Sequence, residues 1–134
     1  MFPLIVLLIS SVIDYRYHII PNTTSFLLFG YSILFAKRNG FPLKIPIILA
    51  VTTFLIIFFL VIIAEKISKQ YVMGGGDIKL LASICSCVGI YKMSIILFYV
   101  SVELLIVYIF QGKQRELVAL CPFIFAGYIV SCFF

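Results

Sequence analysis

The sequence has no tryptophan, a single histidine and only five acidic residues among 134. Its four cysteines, Cys85, Cys87, Cys121 and Cys132, include one C-x-C and no C-x-x-C pair. With one histidine to complement them, that spacing does not make a structural zinc site, and neither a metal nor a cofactor is expected. All four cysteines lie in apolar segments and read as free buried thiols acting as small apolar side chains. Charged residues make up only 11% of the chain against 64% hydrophobic. A soluble domain of this size could not hide that much apolar surface. A basic region ahead of the apolar run Met1–Ile13 is lacking, and so is a small-residue cleavage site after it, where Asp14-Tyr15-Arg16 stands instead. The run therefore reads as a retained first helix and not as a secretory signal. Linkers, low-complexity tracts and internal repeats are absent.

What is present is a series of apolar runs near membrane length, which points to a polytopic α-helical membrane protein. Helices are favoured because a spanning segment must satisfy its own backbone hydrogen bonds, and alternating barrel-type strands are not seen. The net charge of +5 does not indicate nucleic acid. Lys and Arg occur singly or in small groups between apolar runs, with no basic face interleaved with aromatics. They read as interfacial anchors and topology signals, and the bilayer is the expected partner.

Taken in order, the first helix begins near Phe2 and is strictly apolar to Ile13, about 20 Å, too short to cross a hydrocarbon core of about 30 Å. It is expected to continue through Asp14 towards Ile20, where Pro21 stops it. Asp14 then sits at or just inside the membrane boundary, on a helix. Pro21-Asn22-Thr23-Thr24 is a turn and helix start, with Asn22 or Thr23 as the cap. The second helix runs to about Ala36, and Lys37–Pro42 is a short loop with a helix-ending glycine. The third, Ile45 to Ala64, is a run of 20 uncharged, mostly apolar residues. The polar stretch Glu65–Gln70 leads into Gly74-Gly75-Gly76. The fourth helix is predicted from near Asp77 to Gly89–Lys92, and the fifth from Met93 to Phe110. A charged loop, Gln111–Glu116, separates it from the sixth, Leu117 to Phe134, with Pro122 and Gly127 inside it. The expected architecture is an all-α polytopic membrane bundle of about six transmembrane helices, a single domain over residues 1–134.

With six spans, the odd loops share one side. Asp14 and Asp77 belong to the first and third loops, so parity places both carboxylates at one membrane face. The odd loops carry six basic residues (Arg16, Lys66, Lys69, Lys79, Lys113, Arg115) against four in the even loops (Lys37, Arg38, Lys44, Lys92). The positive-inside rule then favours a cytoplasmic face for the two aspartates. Two nearby carboxylates do not both ionise easily, so they share a proton. The ionised partner takes a proton from water, which attacks a peptide carbonyl. The protonated one donates to the carbonyl oxygen and then helps the amine leave. Glycine lets another chain approach closely, so Gly74, Gly75 and Gly76 give an extended substrate backbone room beside Asp77. The bland alternatives are that Asp77 is the N-cap of its helix and that Asp14 is a boundary charge paired with Arg16 or another basic residue. A phosphate loop is disfavoured, because the G-x-x-x-x-G-K-[ST] spacing is missing and a carboxylate at the helix start repels phosphate. Glu103, in mid-helix, reads as neutralised or paired inside the bundle, for example with a hydroxyl neighbour.

The residues resemble those of type IV prepilin peptidases, GxGD membrane aspartyl proteases. Gly74-Gly75-Gly76-Asp77-Ile78-Lys79-Leu80-Leu81-Ala82 fits the G-x-G-D-x-K-L-L-A pattern, which takes in Lys79. Asp14-Tyr15-Arg16 followed by Ile20-Pro21-Asn22 is similar to the first catalytic motif, and Cys121-Pro122-Phe123 to the Pro-Phe motif of the last helix. The resemblance implies that Asp14 and Asp77 are the catalytic pair, with Pro21, Asn22 and Pro122 in supporting roles and no metal. It implies a multi-pass protein of the inner (cytoplasmic) membrane. The substrate would be a type IV pilin-like precursor, cut at the cytoplasmic face between a short hydrophilic leader and a hydrophobic helix. Tyr15, Tyr17 and His18 stand where relatives are often more basic. Larger members carry an N-terminal segment with paired C-x-x-C motifs and N-methylate the product. This chain lacks those motifs and resembles the short, peptidase-only form of tight-adherence pilus systems. Presenilin-like proteases share G-x-G-D but place their aspartates on later, adjacent helices. The reading from another class is a non-catalytic small membrane transporter or a pilus or secretion assembly subunit.

Overall fold

Helices and no strands make up the described residues, 1–69, 71, 73–111 and 119–134, of the computed structural model. The elements are α1 (Phe2–Tyr17), α2 (Asn22–Arg38), α3 (Lys44–Ser68), α4 (Gly75–Gln111) and α5 (Cys121–Phe133). They form two compact units, one of Met1–Ile20 with Ile90–Phe134 and one of Pro21–Gly89. α4 contributes to both because its backbone is non-helical at Gly89. Five elements thus stand where about six spans are expected, the predicted fourth and fifth helices being joined in α4 across that residue.

In the first unit, Pro3 sits in the opening turn of α1, where a missing N–H is no loss. α1 ends at Tyr17, short of the predicted Ile20. His18 takes the left-handed conformation (φ 52°) and its N–H donates to the Asp14 carbonyl at 2.8 Å, closing the helix before Pro21 is reached. Its 16 residues span about 24 Å. Leu7, Ser10 and Asp14 are buried on one stripe of α1, and Cys121, Ile124, Tyr128 and Ser131 on one stripe of α5. The two helices pack together. α5 begins at Cys121, with Leu120 as its N-cap residue. The predicted start at Leu117, and Gly112–Glu116 of the predicted loop, lie outside the described residues. Pro122 is inside the helix as expected, but closer to its start. It lies in the first turn, where proline is accommodated without a kink.

Gly127 of α5 is a tight point against the later part of α4. A Cβ there would lie 3.2 Å from the Ile96 carbonyl oxygen and 3.5 Å from its Cα. Small residues let membrane helices approach this closely. Gly127→Ala is expected to destabilise by about 1–3 kcal/mol through overpacking. Gly30→Ala in α2, where a Cβ meets nothing within 4 Å, is expected to stabilise by about 0.5–1 kcal/mol. Thermal unfolding of both variants in one detergent checks the contrast.

In the second unit, α2 follows Pro21 directly. Neither Asn22 nor Thr23 caps it, because the helix already includes them and no side chain bonds its first N–H groups. Thr24 Oγ1 instead donates back to the Pro21 carbonyl at 2.7 Å. The other end closes as expected with a left-handed glycine: Gly40 has φ 71°, and the Phe41 N–H reaches the Ala36 carbonyl at 2.9 Å. α3 has 25 residues, about 37 Å, enough to cross a bilayer. It absorbs Glu65–Ser68 of the predicted polar loop before Lys69 ends it with φ 53°. Gln70 lies outside the described residues. None of α3's most apolar stretch is buried within the protein. The Gly75–Phe110 part of α4 is the second helix long and apolar enough to span.

The opening part of α4 is the core of this unit. Ile78 and Leu80 to Ser86 are all buried. The Ser86 and Ser32 hydroxyl oxygens lie 3.0 Å apart, and the Cys87 thiol donates to the Leu28 carbonyl at 3.1 Å. Small polar side chains thus tie α4 to α2 where hydrocarbon supplies no driving force for helix association.

Candidate active site

Asp14 stands on the last turn of α1, at the end of the stripe that faces α5. It is only 4% exposed. A carboxylate in such a place is expensive and persists only with a partner or a task. Its partner here is backbone: Cys121 N–H, the first of α5, donates to Asp14 Oδ2 at 2.9 Å. Leu120 has no side chain able to cap α5, and the Asp14 carboxylate does that work from another helix. The positive end of the α5 dipole favours the charge. The boundary-charge reading, with Arg16 as partner, is replaced by this contact. Pro122, singled out in the sequence as a supporting residue, fixes where α5 begins and so which N–H meets Asp14.

Asp77 belongs to the second unit. It is the third residue of α4, not its N-cap, because the helix starts two residues earlier than predicted. Asp77 N–H donates to the Gly74 carbonyl at 3.1 Å. A first-turn carboxylate is favoured by the helix dipole. The side chain is half-buried. A Cβ on Gly74 would lie 3.4 Å from Asp77 Oδ2 and 3.3 Å from the Tyr71 hydroxyl. Both polar groups therefore hang over the same face of Gly74, and the missing side chain leaves them room. Gly75 faces open space, and neither Gly74 nor Gly75 adopts a positive φ. These two glycines provide clearance and not a left-handed turn. Tyr71 is a neighbour that sequence reasoning missed. Its only signal was a hydroxyl three residues before the first glycine.

Lys79, two residues on, is exposed while its neighbours Ile78 and Leu80 are buried. Pro21 and Asn22 mark the start of α2 in the same unit as Asp77. Glu103 lies in the later part of α4 with the Tyr99 hydroxyl as a hydrogen-bonding neighbour. Its Oε2 is buried with no partner among the described residues.

Asp14 and Asp77 are each anchored at a helix terminus, one at the end of α1 and one at the start of α4. No group of three or more metal-ligating side chains occurs among the described residues.

No curated protein and no solved structure matches the chain. The model of a family described as the type IV leader peptidase family matches residues 1–110, a span that takes in both aspartates and the glycine run. The family is one of membrane-embedded proteases that act on pilin precursors, and the two long apolar helices agree with that setting. The match covers most of the 134 residues, and the chain belongs to the type IV leader peptidase family.

Proposed function

We propose that the chain is an aspartic endopeptidase of a single domain with about six membrane-spanning segments. It cleaves the leader from a type IV pilin-like precursor at the cytoplasmic face of the inner membrane, with Asp14 and Asp77 as the catalytic pair. The observation that carries this reading is the placement of Asp14. It is a carboxylate buried to 4% exposure, fixed through Oδ2 by a backbone N–H, in a chain whose family is one of leader peptidases. Loop parity supports a common face for the two aspartates, and the G-x-G-D run supports Asp77 as the second.

The pair shares one proton. The ionised carboxylate accepts a proton from water, and the resulting hydroxide equivalent attacks the scissile carbonyl. The protonated carboxyl donates to the carbonyl oxygen. Collapse of the tetrahedral intermediate then passes a proton to the leaving amine, and the pair returns to its starting state. Either aspartate can take either role. The open space over Gly75 gives the substrate backbone room near Asp77.

Co-expression with a candidate pilin-like precursor tests the proposal. The expected product has lost its leader, with the new N-terminus at the start of the hydrophobic segment when read by N-terminal sequencing. Assembly of the pilin without any cleavage requiring this chain would favour the non-catalytic assembly reading.

A further inference from the structure

The second unit contains a groove of about 360 Å³ between α2, α3 and the opening part of α4. That size is within the ordinary range of small-molecule sites. Its lining is ordered along α2. Asn22 and Ser25 stand at the helix start, with Phe26 and Phe29 following, so polar gives way to apolar over seven residues, about 10 Å. The α3 wall is apolar throughout, and the α4 wall is mixed. Lys79 enters from the first turns of α4, whereas Ala50 and Phe54 of α3 supply aliphatic and aromatic surface. No carboxylate lines the groove among the described residues, so Lys79 is the one formal charge there.

One cation and a few hydrogen-bonding side chains in an otherwise apolar lining suit an amphipathic anion. We infer that this groove binds an anionic phospholipid, with the headgroup phosphate on Lys79 and Asn22 and an acyl chain along Phe26, Phe29 and Phe54. Basic pockets between membrane helices hold anionic headgroups in this manner. Lys79 also has the right stem: its methylenes cover apolar surface while the ammonium reaches the headgroup level. Ser83, the other hydroxyl of the lining, already donates to the Lys79 carbonyl at 2.8 Å and so positions the backbone beneath the lysine. An apolar peptide helix would fill the track but leave Lys79 without an anion. A zwitterionic lipid would set a second cation near it.

The absence of tryptophan gives a direct test. Phe54→Trp places a single reporter in the groove. Phe59→Trp, on an exposed part of α3 that does not line it, reports on the surrounding bilayer. The proteins are reconstituted in vesicles containing brominated phosphatidylglycerol or brominated phosphatidylcholine. Several-fold stronger quenching by phosphatidylglycerol is expected at Trp in place of Phe54, and equal quenching at Trp in place of Phe59. Adding Lys79→Gln should abolish the preference, and adding Ala50→Phe should abolish the groove's quenching by either lipid. Inorganic phosphate should leave the preference intact. Equal quenching at the groove, or a preference that survives Lys79→Gln, overturns the lipid site. So does loss of the preference to inorganic phosphate, or protection of the groove only by an added apolar peptide. The readout is independent of proteolysis, so its failure and that of the peptidase reading are distinguishable.

Discussion

Asp14→Asn and Asp77→Asn are each expected to reduce precursor cleavage by about 10²–10⁴-fold, the range that general acid–base groups supply. The double variant should be little worse than either single one, because groups that act as a unit are strongly non-additive. The structure separates this loss from a folding defect at Asp14. Asparagine keeps a carbonyl oxygen that can accept the Cys121 N–H now bonded at 2.9 Å. Alanine cannot, and leaves a buried donor at the head of α5, which costs about 1–3 kcal/mol. Asp14→Asn should therefore unfold close to wild type while being inactive, whereas Asp14→Ala should be both inactive and less stable. Thermal unfolding in detergent and N-terminal sequencing of the co-expressed precursor read the two effects. Cleavage at a normal rate by a folded Asp14→Asn or Asp77→Asn protein would refute the pair. Equal activity loss with equal unfolding in Asp14→Asn would reduce Asp14 to a helix cap.

That contrast also marks what the sequence could and could not reveal. Asp14 and Asp77 were legible as the charges most in need of a reason, because acidic residues are rare and both border apolar runs. The helical class was legible from composition alone. The partner of Asp14 was not, since Cys121 N–H is 107 residues away and a backbone donor has no sequence signature. Pro122 held a partial clue. A proline is comfortable in a helix's first turn and disruptive further in, so reading it as a helix start would have put free N–H groups near Cys121. Helix ends were misjudged for a related reason. His18 and Lys69 close α1 and α3 in left-handed conformations that non-glycine residues seldom adopt. The tyrosine beside Gly74 was invisible because a hydroxyl near a glycine has no signature in the sequence. The glycine run itself drew attention for backbone freedom, yet at Gly74 and Gly75 what it supplies is space.

Gly89 is where glycine's backbone freedom is required, and the second large effect is expected there. Its φ of 81° and ψ of 170° fall in a region that only glycine occupies readily. A Cβ at Gly89 would meet nothing within 4 Å, so substitution meets no steric neighbour and the penalty is backbone alone. Forcing an L-residue into this conformation costs about 1–3 kcal/mol. Gly89→Asn should give no relief, because asparagine's tolerance is for the left-handed helical well near ψ +47°, far from this ψ. The chain passes between the two units only at Ile20–Pro21 and at Gly89–Ile90. Asp14 lies in one unit and Asp77 in the other, so relaxation at Gly89 acts on the junction between the elements that carry them. A strained variant escapes by making residue 89 helical, which removes the penalty but redirects the chain that follows. If the proposed pair is the catalytic one, either response lowers cleavage, and a misplacement of about 1 Å costs about 10²-fold in rate. Gly89→Ala is accordingly expected to lose about 10²-fold in cleavage, with unfolding shifted by no more than the strain term. Gly75→Ala, where a Cβ also meets nothing within 4 Å and φ is not positive, should retain far more activity. If Gly89→Ala cleaves at the wild-type rate and unfolds at the wild-type temperature, the break in α4 is not required for the reaction.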